Sequence, residues 1–85
     1  MEEEEKEVGE ITHYFDKIGV AIVKVTDSIK VGDRISIKGK TTNFQQAVQS
    51  MQIEHVNVDE AGNGDEIGLK VDKQVREGDK VYKLL

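Results

Sequence analysis

Gly39-Lys40-Thr41 is the stretch whose residue types come nearest to a known chemistry, the cradling of a phosphate by backbone amides and a lysine. Such a loop needs another glycine five positions before Gly39, and that position is Arg34. The residues between them alternate like a strand, and no helix N-terminus follows to add its dipole, so the segment reads as a turn. Gly62, Gly64 and Gly68 miss the dinucleotide fingerprint by one residue and lack a βαβ unit around them. Asp59, Asn63 and Gly64 begin like a calcium loop, but Ala61 stands at a ligand position and Lys70 where the bidentate glutamate belongs. His13 and His55 are the only histidines, far apart and without a second ligand at helical spacing, so no metal site is expected. Cysteine is absent, and Ser28, Ser36 and Ser50 have no evident base, which leaves no nucleophilic triad to propose. The expectation is a protein that is not an enzyme and takes no cofactor.

Charge is the remaining chemistry. The net charge of -5 is concentrated in the first seven residues, where five glutamates face one lysine and carry four of the five net negatives. Without them the chain is nearly neutral, so its acidity neither implies nor excludes a polyanionic partner. Arg34 and Lys38 alternate on one side of a predicted strand, Lys40 extends the patch beyond its end, and Lys30 precedes it. These four form the candidate nucleic-acid-binding surface. Alternate residues on one strand face lie about 6.6 to 6.8 Å apart, a spacing that can reach separate phosphates.

The elements that must position these groups are short and extended. With 85 residues, 36% of them hydrophobic and only 5% aromatic, the chain can build one compact core, mostly of Val, Ile and Leu. Residues 1–7 read as an acidic, disordered tail, and residues 8–85 as the domain. Strands are predicted near Gly9–Phe15, Gly19–Val25, Asp33–Lys38, Ala47–His55, Glu66–Val71 and Asp79–Leu84. In the third, Ile35 and Ile37 face one side, with Arg34, Ser36 and Lys38 on the wet one. The second is apolar on both faces, Val20 and Ile22 against Ala21, Val23 and Val25, as a central strand or a docking surface would be. Gly32-Asp33, Gly64-Asp65 and Gly78-Asp79 repeat one turn device, with glycine supplying φ > 0 and aspartate capping the turn. Phe44, Ala47, Val48 and Met51 fit the amphipathic helix template; the extended reading is preferred because it fits the resemblance below. No apolar run approaches the ~18 residues that span a bilayer, and the acidic start is unlike a signal peptide, so a cytoplasmic protein without a membrane partner is expected.

The order of these segments resembles the second domain of translational GTPases such as elongation factor Tu and initiation factor 2. The likeness rests on Val8-Gly9-Glu10-Ile11, Gly19 to Val25 and Ile29 to Ile37, then on Val48 to His55, Glu60-Ala61, Gly64 to Leu69 and Gly78 to Val81. A similar barrel ends some collagenase-like peptidases. The resemblance implies an all-β, six-stranded antiparallel Greek-key barrel, here as a single domain without any GTPase motif. In the elongation factor a glutamate and an arginine hold the aminoacylated end of tRNA; the matching positions are Gln52 and Gly62. The leading expectation is a binding module that contacts RNA or the ribosome. The alternative is a protein-interaction or assembly domain, accessory to a separate peptidase-like enzyme.

Overall fold

The computed structural model describes residues 4–85, and every regular element in them is a strand. The ten strands are β1 (Glu5–Phe15), β2 (Val20–Val25), β3 (Ile29–Lys30), β4 (Arg34–Lys38), β5 (Asn43–Ala47), β6 (Met51–Ile53), β7 (Val56–Val58), β8 (Glu60–Ala61), β9 (Glu66–Lys70) and β10 (Lys80–Leu84). Eight of them make one antiparallel sheet in the order β5-β4-β10-β1-β2-β9-β6-β7, and β3 and β8 pair as a separate ribbon. The all-β expectation holds. The six-stranded barrel does not: the sheet has more strands, and its ends, β5 and β7, are not joined.

The gap beside β5 is bridged by a side chain instead of a backbone ladder. Gln46 is buried in β5, its Nε2 donates to the Lys70 carbonyl at 2.9 Å, and its Oε1 accepts from the Asp72 amide at 2.8 Å. A buried amide with both ends satisfied costs little, whereas an orphaned one would be expensive.

β1 is the long central strand, and it bends. Register shifts between Glu7 and Gly9 and between Ile11 and His13 let its 11 residues pair with β10 on one side and β2 on the other. Inside the curl the apolar alternation converges: Ile35 and Ile37 of β4, Val23 and Val25 of β2, Ile67 and Leu69 of β9, and Val81 of β10 are all buried.

The three Gly-Asp turns are built alike. In each, the aspartate Oδ2 accepts the amide three residues back: Asp33 from Lys30, Asp65 from Gly62 and Asp79 from Arg76, at 3.0, 2.9 and 2.8 Å. The preceding glycines sit at φ between 92° and 96°, which a side chain would strain. Each Gly-Asp pair then exchanges two backbone hydrogen bonds with one buried residue elsewhere. Gly32 and Asp33 clasp Val48, Gly64 and Asp65 clasp Val25, and Gly78 and Asp79 clasp Ile11. The turns therefore fasten strands together as well as reversing the chain.

Two strand boundaries differ from expectation. The predicted strand Ala47–His55 holds only the last residue of β5, the short β6 and the reversal at Glu54 and His55; β5 begins earlier, at Asn43, and β7 lies beyond the predicted end. The helix template over residues 44–51 fails because the inward position is taken by polar Gln46, while Ala47 is exposed. Of the expected tail, residues 1–3 lie outside the described residues. Glu5, Lys6 and Glu7 belong to β1 and pair with Leu84, Lys83 and Tyr82. Two of the three charges are met by ion pairs from other segments: Lys6 meets Asp27 at 2.6 Å and Glu5 meets Lys38 at 2.7 Å. Lys6 is also the main reason that the Asp27 carboxyl is held below the usual carboxylate range, with the Ser28 amide adding to the effect. Deleting residues 1–7 should cost more than about 1 kcal/mol, because it removes several ladder bonds worth about 1 kcal/mol each. A shift in the urea midpoint at unchanged m checks this; an unshifted midpoint would return these residues to a passive tail.

Candidate functional site

Of the basic residues singled out from the sequence, Arg34 and Lys38 share β4 with Lys40 just beyond its end, while Lys30 stands in a separate ribbon. Arg34 is exposed at the start of β4 opposite Ala47, Lys40 lies in the turn from β4 to β5, and Lys30 stands in the β3–β8 ribbon opposite Glu60. Lys38 is committed to the protein itself, with its Nζ 2.7 Å from Glu5 Oε1 and 5.5 Å from the centre of the Tyr82 ring. Ser36, expected on the wet side between Arg34 and Lys38, is buried opposite Tyr82. Across the same outer face Lys80 pairs with Glu10 at 2.7 Å, and that hydrogen bond leads the effects that raise the lysine's pKa. Two of the cations on this face, Lys38 and Lys80, are thus paired with glutamates.

The Gly39-Lys40-Thr41 segment is a tight reversal closed by the Gly39 amide on the Thr42 carbonyl at 2.8 Å. Among the described residues, no three or more His, Cys, Asp or Glu side chains stand close enough to hold a metal ion. No helix among them is long and apolar enough to cross a membrane.

A different surface has the form of a site. The outer face of β2, which carries Val20 and Ile22, opens into a groove of about 510 Å³. Its floor continues from Phe15 at the end of β1, across β2, over Gly68 in β9 to Gln52 in β6; the registers Phe15 to Val20, Ile22 to Gly68 and Gly68 to Gln52 set these residues side by side. Gly68 is what makes the trough. It has no side chain to fill the space between Ile22 and Gln52, and a Cβ there would meet only ordinary contacts, Val20 at 3.5 Å and the Gln52 carbonyl at 4.0 Å. One wall is the β1–β2 hairpin, where Ile18 is 61% and Phe15 is 50% exposed. The opposite wall is the β6–β7 hairpin tip, where Glu54 and His55 have φ of 51° and 66°.

That tip is strained. A two-residue hairpin loop with both central residues at positive φ is a type I′ turn, which favours Asn-Gly and suits Glu-His poorly. Left-handed backbone costs an ordinary residue about 1 to 2 kcal/mol. Exposed large apolar residues are unremarkable singly, but here they are contiguous, concave and bordered by strained backbone, which is the pattern of an interaction surface.

The groove absorbs part of what the sequence offered. Gln52 is on its floor, hydrogen-bonded through Nε2 to Asn57 Oδ1 at 3.0 Å, whereas Gly62 belongs to the neighbouring turn and does not line the groove. The two-sided apolar pattern of β2 was the visible signal. Phe15, Ile18, Gly68 and the Glu54-His55 tip carried none, because their proximity depends on strand register.

Relatives share this chain's sequence and fold. An uncharacterized protease of Methanocaldococcus jannaschii is 42% identical over 79 residues, covering 92% of this chain and 19% of the relative. A collagenase of Porphyromonas gingivalis is 35% identical over 78 residues, covering 89% and 22%. The chain thus spans about a fifth of the length of the curated relatives it matches. Among solved structures, the C-terminal domain of a putative U32 peptidase from Geobacillus thermoleovorans superposes with a TM-score of 0.85 at 22% identity, covering 89% of each chain. This chain has the fold of that domain. No family model matches the sequence. Of the two resemblances seen in the sequence, these relatives support the one to the barrel of collagenase-like peptidases; none of the three is a translation factor.

Proposed function

We propose that this chain is a non-catalytic accessory module of a peptidase-like protein, which works by binding through the β2–β9–β6 groove. The observation that carries this reading is the coverage: nearly the whole chain matches, yet it accounts for only a fifth of proteins named protease or collagenase. A piece of that size, with an apolar groove in place of a nucleophile–base pair, fits a supporting role. RNA contact through Arg34, Lys38, Lys40 and Lys30 has less support, because those side chains are dispersed over two sheets and a turn, and Lys38 is engaged with Glu5.

Domain replacement tests it. The isolated chain should show no hydrolysis of gelatin above buffer. The Porphyromonas collagenase lacking its matching 78 residues should lose at least about tenfold in gelatin turnover, by analogy with what misplaced substrate costs an enzyme. Inserting this chain in the vacated place should restore most of the loss, with or without nuclease. Hydrolysis by the isolated chain, or full activity from the truncated collagenase, would overturn the reading.

A further inference from the structure

The walls of the groove give its occupant a chemistry. Three carboxylates line it, Glu54, Asp65 and Glu66, and neither Lys nor Arg does. Asp65 is partly occupied in capping its own turn, but Glu54 at the β6–β7 tip and Glu66 at the start of β9 are exposed. Lys24 stands opposite Glu66 in the β2–β9 register, and Lys70, at the far end, donates to the Ile18 carbonyl at 3.0 Å, so the nearest cations do not remove the acidic character of the Glu54 side. An apolar floor with an acidic rim disfavours a polyanion and favours apolar side chains flanked by positive charge.

The dimensions are those of an extended chain. The floor crosses four neighbouring strands, or three spacings of about 4.8 Å, roughly 14 Å in all. Four extended residues at about 3.3 Å each would span it, with alternate side chains pointing down into the gap above Gly68. Among the described residues β7 is the terminal strand of the sheet, paired with β6 alone.

We propose that the groove is a polypeptide-binding subsite, taking an extended segment with apolar residues at alternate positions flanked by Lys or Arg. This rests on the accessory reading and specifies what the module would recruit. Strain at Glu54-His55 belongs to the same design, because it holds the Glu54 carboxylate at the tip of one wall.

The test uses the intact 85-residue chain and a labelled peptide, acetyl-Arg-Ser-Leu-Ser-Phe-Ser-Lys-amide, with its counterpart carrying Glu in place of Arg and Lys. Fluorescence anisotropy at 50 mM salt should show the basic peptide binding at least tenfold more tightly than the acidic one. Amide shifts on titration should concentrate at Ile22, Gln52 and Gly68. Gly68→Val should fill the trough and weaken binding at least tenfold while the circular dichroism spectrum is retained, since the new Cβ meets only an ordinary contact. Glu66→Lys, an exposed change, serves as the second variant and should weaken the basic peptide and strengthen the acidic one. Equal binding of the two peptides, no binding of the basic one, or unchanged binding by both variants would overturn the proposal, as would a twelve-residue oligouridine that shifts the same amides more strongly. If the peptide fails while domain replacement restores the collagenase, the accessory role stands and only the polypeptide assignment falls.

Discussion

Gly39→Ala will destabilise the fold by about 3 kcal/mol, at the upper end of what overpacking a single site costs. A Cβ on Gly39 would fall within the Asp79 carboxylate, 2.6 Å from its Cγ. The carboxylate cannot simply swing aside. Asp79 is 4% exposed, its Oδ2 holds the Arg76 amide at 2.8 Å, and its backbone carbonyl holds Ile11 at the same distance. Displacing it would uncap the third Gly-Asp turn and loosen its clasp on the centre of β1. Gly62→Ala is the matched control, because nothing lies within 4 Å of a Cβ there and its φ is ordinary, so its effect should stay within about 0.5 kcal/mol. Chemical denaturation of both variants decides the matter. The Gly39→Ala, Asp79→Ala double variant should cost clearly less than the sum of the single ones, as expected for residues in contact. Additive losses would mean that Gly39 is required for the shape of its own turn and not for the aspartate packed against it.

The role of Gly39 shows what the sequence can and cannot announce. Gly-Asp at three places was legible as turn chemistry because all its parts lie within four residues, and the structure reproduces the aspartate caps at each. Ile35 with Ile37, and Ile67 with Leu69, were legible because alternation is a local property of a strand. The clasp of each turn on Val48, Val25 or Ile11 was not, since it joins residues 15 to 68 positions apart. β5 was obscured because a buried glutamine breaks the apolar pattern and finds its partners at Lys70 and Asp72. The candidate site divides in the same way. β2 displayed its two apolar faces openly, but the trough exists only where a glycine in β9 is set beside Ile22 by the register of the sheet. The basic residues looked like a site because spacing along a strand reveals which side chains share a face, and does not reveal that Glu5 comes across from another strand to engage one of them.

Glu54→Asn with His55→Gly will raise stability by about 2 kcal/mol, a direction opposite to that of most substitutions. Both residues occupy left-handed backbone, at φ 51° and 66°, in a two-residue loop between Ile53 and Val56. Relief of about 1 to 2 kcal/mol per residue is partly offset by the greater freedom that glycine gives the unfolded chain, about 0.5 to 1 kcal/mol, which leaves a net gain near 2. Asn-Gly is also the pair that the type I′ turn prefers, so the β6–β7 register should be kept. For a domain of this size the gain should appear as a rise in Tm of about 10 °C. The binding consequence separates the two positions. His55→Gly alone retains every carboxylate on the rim but alters the wall itself, so it should raise stability and weaken the basic peptide less than Glu54→Asn does. Glu54→Asn removes a charge that faces the occupant and should weaken that peptide severalfold, even as it stabilises the domain. A protein that keeps an ill-suited pair at a hairpin tip, and loses binding when the better pair is installed, is trading stability for a function at that tip. A Tm that stays level or falls in the double variant would show that the turn is not strained, and an affinity that Glu54→Asn leaves untouched would remove the β6–β7 wall from the site.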